Sequence, residues 1–143
     1  MRLFTKDAKV DALKQVPLFA GLSKKELAEI ASASEDIALQ PGAVLVREGG
    51  LAREFFVLID GTVEVTKNGK KIDERSGGDF VGEMGLVSDR PRSADVISNG
   101  YCHLLALYKK DFRALLAKRP SVRSEIEAVA ARRVAENEGK AAS

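Results

Sequence analysis

Two side chains of opposite charge flank a short loop in the stretch "FVGEMGLVSDRPRSADV", Phe80 to Val96. Gly82 is followed at once by Glu83, and Arg92 sits between Pro91 and the small pair Ser93-Ala94. One reading is that Glu83 and Arg92 pair with each other. The other is that both face a third party. Gly82 and Gly85 lack a Cβ, so the main-chain N–H groups around them can approach a ligand closely. A short helical turn over "MGLVSD" would aim such N–H groups at an anion. An arginine fork adds charge-assisted hydrogen bonds to phosphate oxygens. A carboxylate is badly matched to phosphate but accepts hydrogen bonds from a sugar hydroxyl. Together these types describe a ribose-phosphate pocket, in which the acid reads the sugar and the arginine with the amides reads a single phosphate.

The totals narrow the alternatives. A chain of 143 residues favours one domain. A net charge of +2 gives no electrostatic reason to expect direct nucleic-acid binding. No run of about 18 apolar residues is present, so no helical membrane span is expected. "MRLFTKDAKV" lacks the apolar core of a signal peptide. A single cysteine, Cys102, excludes an intramolecular disulfide and suits a reducing, cytoplasmic location. With one histidine, His103, no ordinary metal site can be assembled. Neither a P-loop nor a hydrolase elbow occurs. No nucleophile–base pair is visible, so the chain is not expected to be an enzyme.

The elements that must position Glu83 and Arg92 read as a β core between helices. Pro17 ends a first short helix behind Leu13 and Val16. Ser23 and Glu26 form a capping box for a second helix over about residues 23–32. From about 36 to 107 the periodicity is that of short strands. "AVLVREG", "EFFVLIDG" and "YCHLLALYK" are apolar runs, and "TVEVTK" alternates strictly. Asn68-Gly69 is a type I′ hairpin signal. Gly61 reads as an ordinary turn glycine. Of Cys102 and His103, one side chain is expected to point into the core and the other outward. After Lys110 the helical period returns: "KKDFRALLAKRP" stops at Pro120, and a helix capped by Ser121 carries Val122, Ile126 and Val129 on one stripe running into Arg132-Arg133. The last residues, "EGKAAS", read as frayed. The expected architecture is α+β, mainly β: an eight-stranded β-roll (jelly roll) flanked by N-terminal helices and a C-terminal helix. It forms a single domain, divided into N-terminal helices (1–35), the roll (36–108, with the loop at 80–95) and C-terminal helices (109–138).

The segment "GGDFVGEMGLVSDRPRSADV" resembles the phosphate-binding cassette of the cyclic nucleotide-binding domain family. "VPLFAGLSKKELAEIA", "PGAVLVREGGLAREFFVLIDGTVEV" and "LLALYKKDFRALLAKRP" extend the resemblance over most of the chain. It implies that Glu83 bonds the ribose 2′-hydroxyl. It also implies that Arg92 binds the cyclic phosphate, with main-chain N–H groups around Gly82, Met84 and Gly85. Ser93 stands where a hydroxyl reaches the phosphate or a syn guanine amino group. Val65, Val81 and Ala94 would line the base and ribose. The last helix would be a lid, with Arg132 or Arg133 as base contact, Arg132 being the first candidate. Gly85 stands where the family more often has alanine, and Val81 where an aromatic is common.

The resemblance implies a stand-alone sensor of cAMP, with cGMP kept open by Ser93, that needs no cofactor beyond its ligand. It would signal by cassette tightening and closure of the lid helix from about residue 121. The effector would be an unidentified protein or a second copy of the chain meeting the C-terminal helix. The alternatives are a nucleotide-independent interaction module of the same fold, or the sensory part of a larger channel, kinase or transcription regulator.

Overall fold

Two long antiparallel strands, β3 (Glu54–Lys67) and β6 (Asp95–Tyr108), form the spine of the molecule, and the other strands pair to them. The computed structural model of the chain describes residues 5–83 and 90–142. Strand β1 (Glu35–Leu39) pairs with β6 along its outer edge, and β4 (Lys70–Ser76) returns from β3 through the Asn68-Gly69 hairpin. Asn68 has the positive φ, 53°, that such a turn requires. Strands β2 (Val44–Val46) and β5 (Phe80–Val81) pair with β6 and β3. The fold is thus mixed helix and antiparallel sheet.

Among the described residues there are six strands, where eight were expected. The difference lies in "EFFVLIDGTVEVTK" and "DVISNGYCHLLALY", each of which is one continuous strand. Gly61 is therefore not a plain turn residue. It lies inside β3 at φ 94°, where the pairing with β6 shifts register between Asp60 and Thr62. A Cβ there would run into the Tyr101 carbonyl and come within 2.9 Å of Cys102 Cα. The bend needs glycine, and it lets a single strand serve both ends of the roll.

The apolar run in β3 is buried on both faces. Phe55 and Val57 face the helices, where they meet Leu13, Phe19, Phe112 and Ile126. Phe56 and Leu58 face the interior of the roll with Val63, Val65, Val81 and Leu104. Phe55 stacks on Phe112 at 4.4 Å between ring centroids, which seats the C-terminal helices on the sheet. Cys102 is buried, and neighbouring His103 points to the partly exposed side, 2.8 Å from Asp36.

Helix α1 (Lys6–Lys14) is capped by Thr5 and followed by a 3-10 turn, Pro17–Phe19. Helix α2 (Lys24–Ala33) opens on the Ser23–Glu26 capping box, with both bonds formed. Helix α3 spans Lys109–Lys118 and α4 spans Pro120–Ala142. Ser121 does not cap α4. Pro120 is already its first residue, a position where the missing N–H costs nothing, and Arg119 is the boundary between the two helices. The backbone of α4 continues through the stretch expected to fray.

Candidate functional site

Arg92 is fixed by main chain from three directions. Its own N–H and C=O exchange 2.8 Å bonds with the Gly49-Gly50 turn. Its Nη1 donates to the Gly82 carbonyl at 2.9 Å, and Nη2 donates to the Glu54 carbonyl at 2.7 Å. The guanidinium lies 5.9 Å from the centre of the Phe56 ring and is 7% exposed. Burial pushes its pKa down, while the nearby Glu54 and Glu83 carboxylates push it back up. These bonds orient the cation without neutralising it, because their acceptors are carbonyls. They use two of the five N–H donors of the fork. Gly82, at φ 89°, makes the approach possible: a Cβ there would lie 2.6 Å from Arg92 Nη1.

Glu83 is 1% exposed, yet it is not Arg92's hydrogen-bonded partner. Its Oε1 accepts from Arg133 Nη1 at 2.6 Å. Arg133 also donates to the Phe80 carbonyl at 2.9 Å and to Asp79 Oδ1 at 2.7 Å, and it stacks 4.6 Å over the Phe80 ring. Helix α4 delivers this side chain. Val122, Ile126 and Val129 are buried on its inner stripe, and position 133 is the next on that stripe. Position 132 is off the stripe, and Arg132 is exposed. Of the two arginines, it is Arg133 that reaches the cassette.

A cavity of about 50 Å³ collects these groups. Its wall includes Gly82, Glu83, Arg92, Ser93, Val65, Val81 and Ala94, all expected from the sequence. Met84 and Gly85 fall outside the described residues. Three wall residues were not foreseen: Val46, Val96 and Arg75. For the valines the only signal was their apolar type in strand segments, Val46 in "AVLVREG" and Val96 two positions after Ala94. For Arg75 there was none, because "KKIDER" reads as a solvated hairpin arm. In the folded chain Arg75 is 6% exposed.

The wall thus offers an oriented, un-neutralised guanidinium beside a buried carboxylate, over an apolar floor. Such a set can hold a small anion joined to a hydroxyl-bearing, partly apolar group. No group of three or more His, Cys, Asp or Glu that could bind a metal occurs among the described residues.

Comparison with known proteins gives this chemistry its family. Residues 37–119 match the cyclic nucleotide-binding domain, and the chain belongs to that family. The cAMP-dependent protein kinase regulatory subunit of Schizosaccharomyces pombe is 32% identical over 105 residues, covering 73% of this chain and 26% of that protein. A cyclic nucleotide-gated potassium channel of Rhizobium etli is 36% identical over 118 residues, covering 82% of this chain and 33% of the channel. The chain therefore spans about a quarter to a third of the length of these relatives. Among solved structures, the regulatory domain of Toxoplasma gondii PKA crystallised with cAMP superposes with a TM-score of 0.82 at 27% identity, covering 89% of this chain and 50% of that one. No helix is long and apolar enough to cross a membrane, among the described residues.

Proposed function

We propose that this chain is a cyclic nucleotide sensor whose ligand sits between Arg92 and helix α4. The observation that carries this reading is the state of Arg92: a buried cation held by two carbonyls, on the same wall as a buried carboxylate. A structural ion pair would have joined Arg92 to Glu83. Instead, each charge keeps capacity for a third party. Arg92 takes the cyclic phosphate. Glu83, which accepts from Arg133 at Oε1, takes the ribose hydroxyl with its remaining acceptor capacity. Val65, Val81 and Ala94 pack against the sugar and base, and Ser93 stands beside the phosphate.

The output follows from Glu83. A ribose hydroxyl and Arg133 address the same carboxylate, so nucleotide binding and the position of α4 are coupled through it. The cavity is smaller than a nucleotide, so binding widens it. The wall able to move is α4, because it meets the cavity through Arg133, whereas Arg92 is bonded to main chain on three sides and Val46, Val65, Val81 and Val96 belong to the sheet. The nucleotide shifts the population of α4 positions by its differential affinity for them. An effector protein, or a second copy of the chain, reads that helix. The chain acts by binding and carries out no chemical step, in keeping with relatives named as regulatory subunits and a gated channel.

Isothermal titration with cAMP and cGMP tests the reading. Binding at micromolar or tighter affinity is expected, with Arg92→Ala losing several kcal/mol, the scale for removing one partner of a buried charge contact. A folded wild-type chain that gives neither heat nor a thermal shift with either nucleotide would overturn it.

A further inference from the structure

A second hollow adjoins the segments that hold Arg92. It has a volume of about 500 Å³ and is bounded by residues 51–53, 90–91 and 108–110. It shares no wall residue with the cavity of Glu83 and Arg92. Among the described residues its wall holds four cations, Arg53, Arg90, Lys109 and Lys110, and no acid. The chain as a whole is nearly balanced, with 23 basic and 21 acidic residues, so this concentration of one sign is local. Arg53, Arg90 and Lys110 are exposed, and among the described residues none of the three pairs with a carboxylate. Glu35 and Glu54 lie near the Tyr108 hydroxyl but outside the wall.

The same wall carries apolar surface. Leu51 is 71% exposed and Tyr108 is 49% exposed. A single exposed leucine is ordinary. An exposed leucine and an exposed aromatic in one hollow, rimmed by unneutralised cations, mark a surface built for a partner. The hollow is also preformed. The Arg53 carbonyl accepts from the Lys109 N–H at 2.8 Å, and the Gly50 carbonyl accepts from the Arg92 N–H at 2.8 Å, so main chain joins its three sides. The Tyr108 hydroxyl donates to Glu35 at 3.2 Å, which fixes the ring. A surface already in place loses little conformational entropy when it binds.

We propose that this hollow is a docking site for an acidic peptide segment of a partner protein, one that carries an apolar side chain among its carboxylates. The carboxylates meet Arg53, Arg90 and the lysines, as acidic motifs meet arginine clusters elsewhere. The apolar side chain covers Leu51 and the Tyr108 ring. A peptide suits the site better than a lipid surface, because the cations and the apolar groups line a concavity. The inference does not rest on the nucleotide reading, since it uses none of the residues given to phosphate, ribose or base.

The test is fluorescence anisotropy of the intact chain with a labelled peptide of alternating Glu and Asp around one central Phe. A second peptide has Ser in place of that Phe. Wild type is expected to bind the first peptide, more weakly as salt is added. It should bind the second at least about threefold more weakly, the scale of losing part of one buried apolar side chain. Arg53→Glu combined with Arg90→Glu should lose at least about tenfold, because attraction becomes repulsion. Leu51→Ser should remove the preference for the Phe peptide. Lys24→Glu combined with Lys25→Glu, on the exposed start of α2, should change nothing. Melting temperatures confirm that each variant folds. No binding of the Phe peptide by wild type overturns the proposal. Equal binding of the two peptides, or equal losses from the α2 reversal and the hollow reversal, overturns it too, by showing general charge attraction. Wild type that binds phosphatidylserine vesicles but not the peptide would assign the hollow to a membrane surface instead.

Discussion

Gly82 and Arg92 work as a pair at the residue scale, since the guanidinium reaches its carbonyl anchors only where no side chain stands in the way. Gly82→Ala would place a Cβ 2.6 Å from Nη1 and 3.0 Å from the Glu54 carbonyl, at a φ of 89° that L side chains rarely adopt. The left-handed backbone alone costs about 1–2 kcal/mol. The variant is expected to lose at least that much stability in urea unfolding. It should also lose nucleotide affinity in titration, because Arg92 must shift. Unchanged affinity would mean that Arg92 is not set by this contact. Glu83 illustrates how little a residue's type reveals of its partner. Its carboxylate and Arg92 lie nine positions apart on one loop. Yet the hydrogen bond goes to Arg133, fifty residues on, because α4 carries that side chain into the cavity.

Helix α4 is held at two levels. Apolar packing fixes its N-terminal half: Ile126 is fully buried, and Ile126→Ala is expected to cost about 2–5 kcal/mol in urea unfolding. One polar anchor, Arg133, fixes it further along, on Glu83, Asp79 and the Phe80 carbonyl. In the proposed sensor, that division makes the distal part the responsive one. Hydrogen exchange of the amides around Arg133 is expected to change on adding cyclic nucleotide, while exchange around Ile126 changes little. In Arg133→Ala the nucleotide should no longer alter exchange in α4. A nucleotide response that survives this substitution would place the coupling elsewhere. The stripe of residues 122, 126 and 129, running into Arg132-Arg133, was legible in the sequence; that 133 rather than 132 continues it came from the structure. What the sequence did not show is that the stripe's last member is an arginine turned inward, since an arginine pair ending an apolar stripe usually marks the solvated end of a helix.

On the scale of the whole molecule, the N-terminal helices and the C-terminal helices are tied by Arg119 and Glu26. Arg119 is the boundary residue between α3 and α4, and its Nε and Nη2 both bond the Glu26 carboxylate. The Arg119 hydrogen bond, with that of the Ser23 backbone, lowers the pKa of Glu26 from 4.5 to about 2. A carboxyl with a depressed folded-state pKa contributes stability that is fully present above its unfolded value. That contribution is lost as pH falls through the folded one. The urea midpoint of wild type is therefore expected to exceed that of Glu26→Gln at pH 6, with the gap closing as pH falls from about 5 towards 2. Glutamine can still accept from the Ser23 N–H, so the comparison isolates charge from capping. A gap that stays constant with pH would show that the pair contributes nothing through ionisation.

The sequence by itself determined the alternation of helix and strand, the capping box at Ser23, the hairpin at Asn68 and the cassette residues Glu83 and Arg92. These depend on local periodicity, on turn chemistry and on residue types within one loop. It could not show that two glycine-bent strands run unbroken, since a bend and a break have the same local composition. Only the tertiary structure decided which charges share a cavity. Arg75 on β4, Asp79 before β5 and Arg133 on α4 come together because a sheet and a helix close on the same loop. The partner of a buried charge is set by that closure, a long-range packing event that leaves no mark in the spacing of residues along the chain.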